Sequence, residues 1–213
     1  MANFEKDYND EEKSNWLTKI VDWMIDNSIG DVTVYVRNLR DQNRGISNDA
    51  LARKILRRKA LKNGLIGAAT SAGSFITLPV AIPADLIASW KIQIFMAISI
   101  AHVYGLEPDN ADLRTDVYLI LAGDSAKEAL KRLGIEVSKG ITKKAIQKYI
   151  TREIMTKIWK VIPQKILTKA GEKSMTSFMR MVPLIGIPIG FTFDYVAAKT
   201  VGTTAIHYYS GRG

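Results

Sequence analysis

From Gly64 to Ala84 the chain carries no charged side chain, and from Asp85 to Tyr104 it runs on through Leu86, Ile87, Ile92, Ile94, Phe95, Met96, Ile98 and Ile100. A helix that is apolar almost all round has to be buried, in protein or in lipid. Any fold open to this chain must hide that stretch. Its charge-free length would cross a bilayer (~20 residues). However, Pro79 and Pro83 each remove a backbone N–H, and Thr70, Ser71, Ser74 and Thr77 dilute the run. The uncharged run Met181 to Phe193 is shorter and holds Pro183 and Pro188. The pattern predicts a buried or conditionally inserting helical hairpin and no stable transmembrane span.

The remaining elements also read as helices. Trp16, Ile20, Trp23 and Met24 fall near one face of a helix that starts after Ser14 and stops near Gly30. Val32, Val34 and Val36 alternate like a strand but have no partner strand, so they read as a connection or short helix. Asp41 to Gly45 is a polar loop, Ser47 offers an N-cap, and Leu51, Ile55 and Leu61 give helical spacing over 50–62. Asn63-Gly64 is a stop signal. A helix from Asp85 ends at Gly105, shorter helices follow over 111–121 and 126–133, and a long basic one spans 141–162. The last helix begins at Gly186 or Pro188 and ends near Tyr208. With no alternating strand series, the fold class is all-α, the apolar hairpin packing against the C-terminal helix. Gly64, Ala68 and Ala72 lie four apart, as do Gly186, Gly190, Asp194, Ala198 and Gly202. Two such small-residue ridges let helix backbones approach closely and are expected to meet each other.

The search for enzyme chemistry finds no phosphate loop, dinucleotide fingerprint, nucleophile elbow or zinc-protease helix. There is no cysteine, and the two histidines, His102 and His207, each sit in an apolar helical context. No catalytic residue, metal ligand or cofactor is assigned, and the chain reads as non-enzymatic. The polar residues inside the apolar helices are better candidates. Asp85, Ser89 and Gln93 recur every four positions and share a face. Asp194 interrupts the last helix, with Lys199 following it. A buried carboxylate must pair with a cation, accept several hydrogen bonds or take up a proton. These five are therefore candidates for a buried polar site, either a packing device or a place for a cation or ligand headgroup.

Charge supplies the strongest sign of a partner. The net charge is +9, which biases the protein toward polyanions. Arg53, Lys54, Arg57, Arg58, Lys59 and Lys62 crowd one helix with no acid among them. Between Lys139 and Lys173, Glu153 and Glu172 are the only acids among many cations; Lys144, Lys148 and Arg152 share a face, as do Lys165, Lys169 and Lys173. Lys143 adds to the first of these, and Ile146, Ile150, Ile154 and Trp159 lie opposite. A basic face opposite an apolar one with a Trp is the pattern of an interfacial helix on anionic lipid, at roughly 1 kcal/mol per cation near the surface. No helix-turn-helix, zinc finger or RNA-binding aromatic motif is present, so membrane lipid is favoured over nucleic acid. The acidic start, Met1 to Lys13, is the reverse of a secretion signal, so the expected location is cytoplasmic, peripheral on the inner face of the cell membrane.

Several of these motifs resemble the EcsC family of bacterial helical proteins. The resembling residues are Gly64, Gly67 and Gly73, then Ile82-Pro83-Ala84-Asp85, then Ile100-Ala101-His102-Val103-Tyr104-Gly105. Near the C-terminus they are Val182-Pro183, Gly186, Gly190, Gly202 and Ala205, with Asp194 where the family pattern has Asn. The resemblance sets an EcsC-like helical domain at 47–213, behind an acidic N-terminal amphipathic helix and connector at 1–46. It implies an all-α fold and association with the cytoplasmic membrane, with a role accessory to a transporter, and transfers no catalytic residue. Two other roles stay open: a protein-interaction module for a transporter or GTPase that uses the acidic N-terminal helix, and a pore-forming, toxin-like protein with an insertable hairpin.

Overall fold

The computed structural model describes residues 19–73, 84–107, 112–122 and 183–211. All regular elements among them are helices, and the fold is all-α. In chain order these are α1 (19–26), α2 (Ile29–Asp41), α3 (Asn48–Gly73), α4 (Ala84–Val103), α5 (Leu113–Ala122) and α6 (Pro183–Ser210).

The helix after Ser14 stops at Asn27–Ser28, ahead of Gly30. Asn27 Nδ2 donates to the Trp23 carbonyl at 2.8 Å and Ser28 Oγ to the Met24 carbonyl at 2.7 Å. Such back-bonding competes with the backbone ladder and ends a helix locally. Chain direction then resets, and the valine alternation turns out to be helical. Val32, Val36 and Leu39 share the buried face of α2, while Val34 points outward. The Ser47 cap is present, its Oγ accepting the Ala50 N–H at 3.2 Å.

Helix α3 does not stop at Asn63-Gly64 but runs through to Gly73. A mid-helix glycine costs ~1 kcal/mol relative to alanine, and tertiary packing outweighs that here. α3 and α6 lie antiparallel in the most extensive helix–helix contact among the described residues. Gly64 faces Phe191, Gly67 faces the Gly190 carbonyl, and Gly202 faces Leu56 and Met96. The two glycine-bearing ridges do meet.

Helix α4 is central, packed against α2, α3, α5 and α6. Trp90, Ile92, Ile94, Met96, Ile98, Ile100 and Val103 are all buried, so the all-round apolar helix is hidden inside protein. It ends as expected at Gly105, whose φ is +90°. The Leu106 N–H bonds the Ala101 carbonyl and the Gly105 N–H the His102 carbonyl, both at 3.1 Å, a glycine C-cap. α1 and α2 join the same core through Met24, Ile25, Val32, Val36 and Leu39, so the change in charge near residue 46 is not a change in packing. Among the described residues no helix is long and apolar enough to cross a membrane. The apolar run's middle, 74–83, lies outside the described residues, as does the basic stretch 123–182.

Candidate functional site

Two groups of polar side chains stand out, one on the surface of α3 and one beneath it. On the surface, Arg57, Arg58, Leu61, Lys62 and Leu65 are all exposed. Leu61 and Leu65 are 50% and 57% exposed, unusual for leucine in a helix whose other face is buried. At 3.6 residues per turn, Leu61 and Leu65 form one ridge, with Arg57 on one side and Arg58 and Lys62 on the other. Arg53 is exposed one turn before Arg57. Lys54 belongs to a different setting: it is half-buried, its Nζ donating to Asn43 Oδ1 in the α2–α3 turn. Of the proposed polyanion-binding residues, then, Arg53, Arg57 and Arg58 face solvent and Lys54 ties down a loop. Lys143, Lys144, Lys148, Arg152, Trp159, Lys165 and Lys169 lie outside the described residues.

Lys59 sits at the edge of this surface. Its Nζ lies 3.8 Å from the Phe95 ring centroid and 4.4 Å from that of Tyr35. The two rings meet edge to face at 5.4 Å. Burial first, and then the charge of Lys62, pull the Lys59 ammonium down to about 8. The Tyr35 hydroxyl is buried and makes no hydrogen bond. Burial raises its pKa, while the nearby Arg58 guanidinium, outside hydrogen-bond geometry, pulls the other way.

The interior group ties three helices together. Gln93 Nε2 donates to Ser89 Oγ at 2.9 Å, as their shared face on α4 predicts. Asn63 of α3 completes the cluster, its Nδ2 donating to Ser89 Oγ at 3.0 Å and to the Asp194 carbonyl of α6 at 2.8 Å. Asn63 is fully buried, and its Oδ1 has no hydrogen-bond partner. Asp194 thus enters through its main chain, while its carboxylate lies against Gly67. Lys199 does not belong to a buried site: five positions after Asp194 it falls on the other side of α6 and is exposed. Asp85 is in the first turn of α4, and its side chain lies outside the described residues. The cluster can hold α3, α4 and α6 in register.

Sequence reasoning missed Asn63, taken as a helix stop, and Tyr35, hidden in the apparent strand alternation. It also passed over Asp116, which is 2% exposed and accepts a 2.5 Å hydrogen bond from Tyr208 Oη. Burial and the Asp116 carboxylate drive the Tyr208 hydroxyl far above its ordinary value, so it stays a donor. Nearby, Arg114 pairs with Asp22 at 3.0 Å and with Asp26, fastening α5 to α1. These contacts join α5 to α1 and α6. His102 lies beside the Leu106 carbonyl at the end of α4, and Ser89 is ~20 Å away along the same helix. His207 is exposed on α6. Among the described residues no group of three or more histidine or acidic side chains is placed to hold a metal.

The model of the EcsC protein family matches residues 38–213, from within α2 to the end of the chain. No curated protein and no solved structure matches this chain.

Proposed function

This chain belongs to the EcsC protein family, and we propose that it works as a non-enzymatic peripheral protein that settles on anionic membrane lipid through the outer face of α3. The observation that carries this reading is the ridge of exposed Leu61 and Leu65 bordered by Arg57, Arg58 and Lys62. Leucines left half in water are suited to the acyl boundary, and cations on either side of them to lipid phosphates. No acid lies among residues 50–69 to cancel that attraction. The same reading puts the protein on the inner face of the cell membrane, in a role accessory to a transporter.

Flotation with vesicles of graded anionic content tests it. Recovery should rise steeply with the anionic fraction and fall as salt is added, because the cations act through a screened field. Equal recovery on neutral and anionic vesicles removes the electrostatic half of the proposal. A second reading, a module that recognises a protein through its N-terminal helix, draws support from Trp23, which is 55% exposed on α1.

A further inference from the structure

We infer that Tyr35, Arg58, Lys59 and Lys62 form a recess for a phosphate monoester, the head of a lipid phosphate or of a soluble phosphate ester. The inference rests on the docking surface above for its orientation and adds a chemical preference to it. Arg58, Lys59 and Lys62 fall within little more than one turn of α3, and none has an ion-pair partner among the described residues. The Lys59 ammonium is held on the faces of Tyr35 and Phe95, so its position is fixed by packing from α2 and α4. Beside it the Tyr35 hydroxyl is buried with its hydrogen-bonding capacity unused. Partial burial of the Lys59 ammonium beside these rings strengthens its pull on an anion. Burial and the charge of Lys62 make the Lys59 ammonium costly to keep charged, and a bound anion would relieve that cost.

The number and kind of groups select the ligand. A phosphodiester offers one negative charge and two free oxygens, whereas a monoester offers up to two charges and three free oxygens. Three cationic groups and a hydroxyl donor suit the second better, since hydrogen bonds to charged groups are the strong ones. Arg58 and Lys62 also border the Leu61–Leu65 ridge, so the recess opens next to the surface proposed to meet lipid.

The test uses the full chain with neutral vesicles doped with either phosphatidate or phosphatidylglycerol to the same zeta potential, and with glycerol 3-phosphate alone. Phosphatidate vesicles are expected to bind about tenfold more tightly, the worth of one hydrogen bond to a charged group. Tyr35→Phe and Lys59→Met should each erase that preference, leave phosphatidylglycerol binding within about twofold, and keep the wild-type circular dichroism spectrum. Tyr35→Phe removes only a hydroxyl that bonds nothing, so it guards against a trivial loss of folding. Equal binding to the two lipids, with no glycerol 3-phosphate bound, overturns the recess and leaves the docking surface standing. Glycerol 3-phosphate binding that both variants abolish, without vesicle binding, supports the recess and overturns the docking surface. Binding to neither vesicles nor the ester overturns both.

Discussion

Gly67→Ala is expected to lower the unfolding free energy by about 3 kcal/mol, the cost of overpacking a tight interior. The added Cβ would lie 2.5 Å from the Gly190 carbonyl oxygen, 2.6 Å from Asp194 Oδ2 and 2.9 Å from Asp194 Cγ. The first of these atoms is backbone and cannot swing aside, so α3 and α6 would have to part. Parting them would also stretch the Asn63 bond to the Asp194 carbonyl, one turn earlier on α3. Alanine's better helix propensity returns ~1 kcal/mol, too little to compensate. At Gly64 the added Cβ would lie 2.9 Å from Phe191 Cε2 and 3.1 Å from the Phe191 carbonyl oxygen, a less severe approach to backbone than at Gly67, so Gly64→Ala should cost less. Gly30 lies in α2 with nothing within 4 Å of its would-be Cβ, and Gly30→Ala should stabilise by about 0.5 kcal/mol. Urea denaturation followed by circular dichroism should rank the four proteins Gly30→Ala, wild type, Gly64→Ala, Gly67→Ala. A Gly67→Ala protein as stable as wild type would mean the two helices do not touch there.

Reversing Arg57, Arg58 and Lys62 together to glutamate is expected to weaken binding to anionic vesicles by more than about a hundredfold. Each cation near an anionic surface contributes roughly 1 kcal/mol, and the three together roughly 3 kcal/mol, or two decades of affinity. The introduced acids add repulsion. All three side chains are exposed and none pairs with an acid among the described residues, so the urea midpoint should move little, within about 0.5 kcal/mol of stability. Vesicle binding that survives the triple reversal at low salt would assign the lipid contact to another part of the chain.

Much of the helical frame is written in local chemistry. The Ser47 cap, the Gly105 stop and the all-round apolarity of α4 each follow from the residues that make them, and each holds in the structure. The Ser89–Gln93 pair was equally legible, because helical spacing alone brings those side chains together. The failures occur where a distant helix decides the outcome. Asn63-Gly64 reads as a stop on propensity, yet Gly64 and Gly67 lack side chains because α6 presses on them, and the Asn63 amide is spent on α4 and α6. Val32, Val34 and Val36 alternate like a strand, yet with no partner strand they read as a connection or short helix. They are helical in α2, since β-branched residues lower helix propensity only slightly and burial against α4 outweighs that. Of the candidate polar site, Ser89, Gln93 and Asp194 come together, whereas Lys199 turns outward. On the basic face, charge counting found Arg57 and Arg58 but could not separate them from Lys54, whose partner Asn43 lies across a turn. Nor could it show Leu61 and Leu65 as exposed, because a leucine at helical spacing is normally core.

The outer face of α3 can be tested by site-directed spin labels, one at a time, at Leu61, Leu65 and Asp31; the chain has no native cysteine to confuse the labelling. Collision with oxygen against a water-soluble nickel complex reports depth in vesicles carrying anionic lipid. Labels at 61 and 65 should become rich in oxygen and shielded from nickel on binding, while the label at 31, exposed in the first turn of α2, stays open to nickel. Labels at 61 and 65 that remain open to nickel while the protein is bound to vesicles would contradict the assignment of this face to lipid.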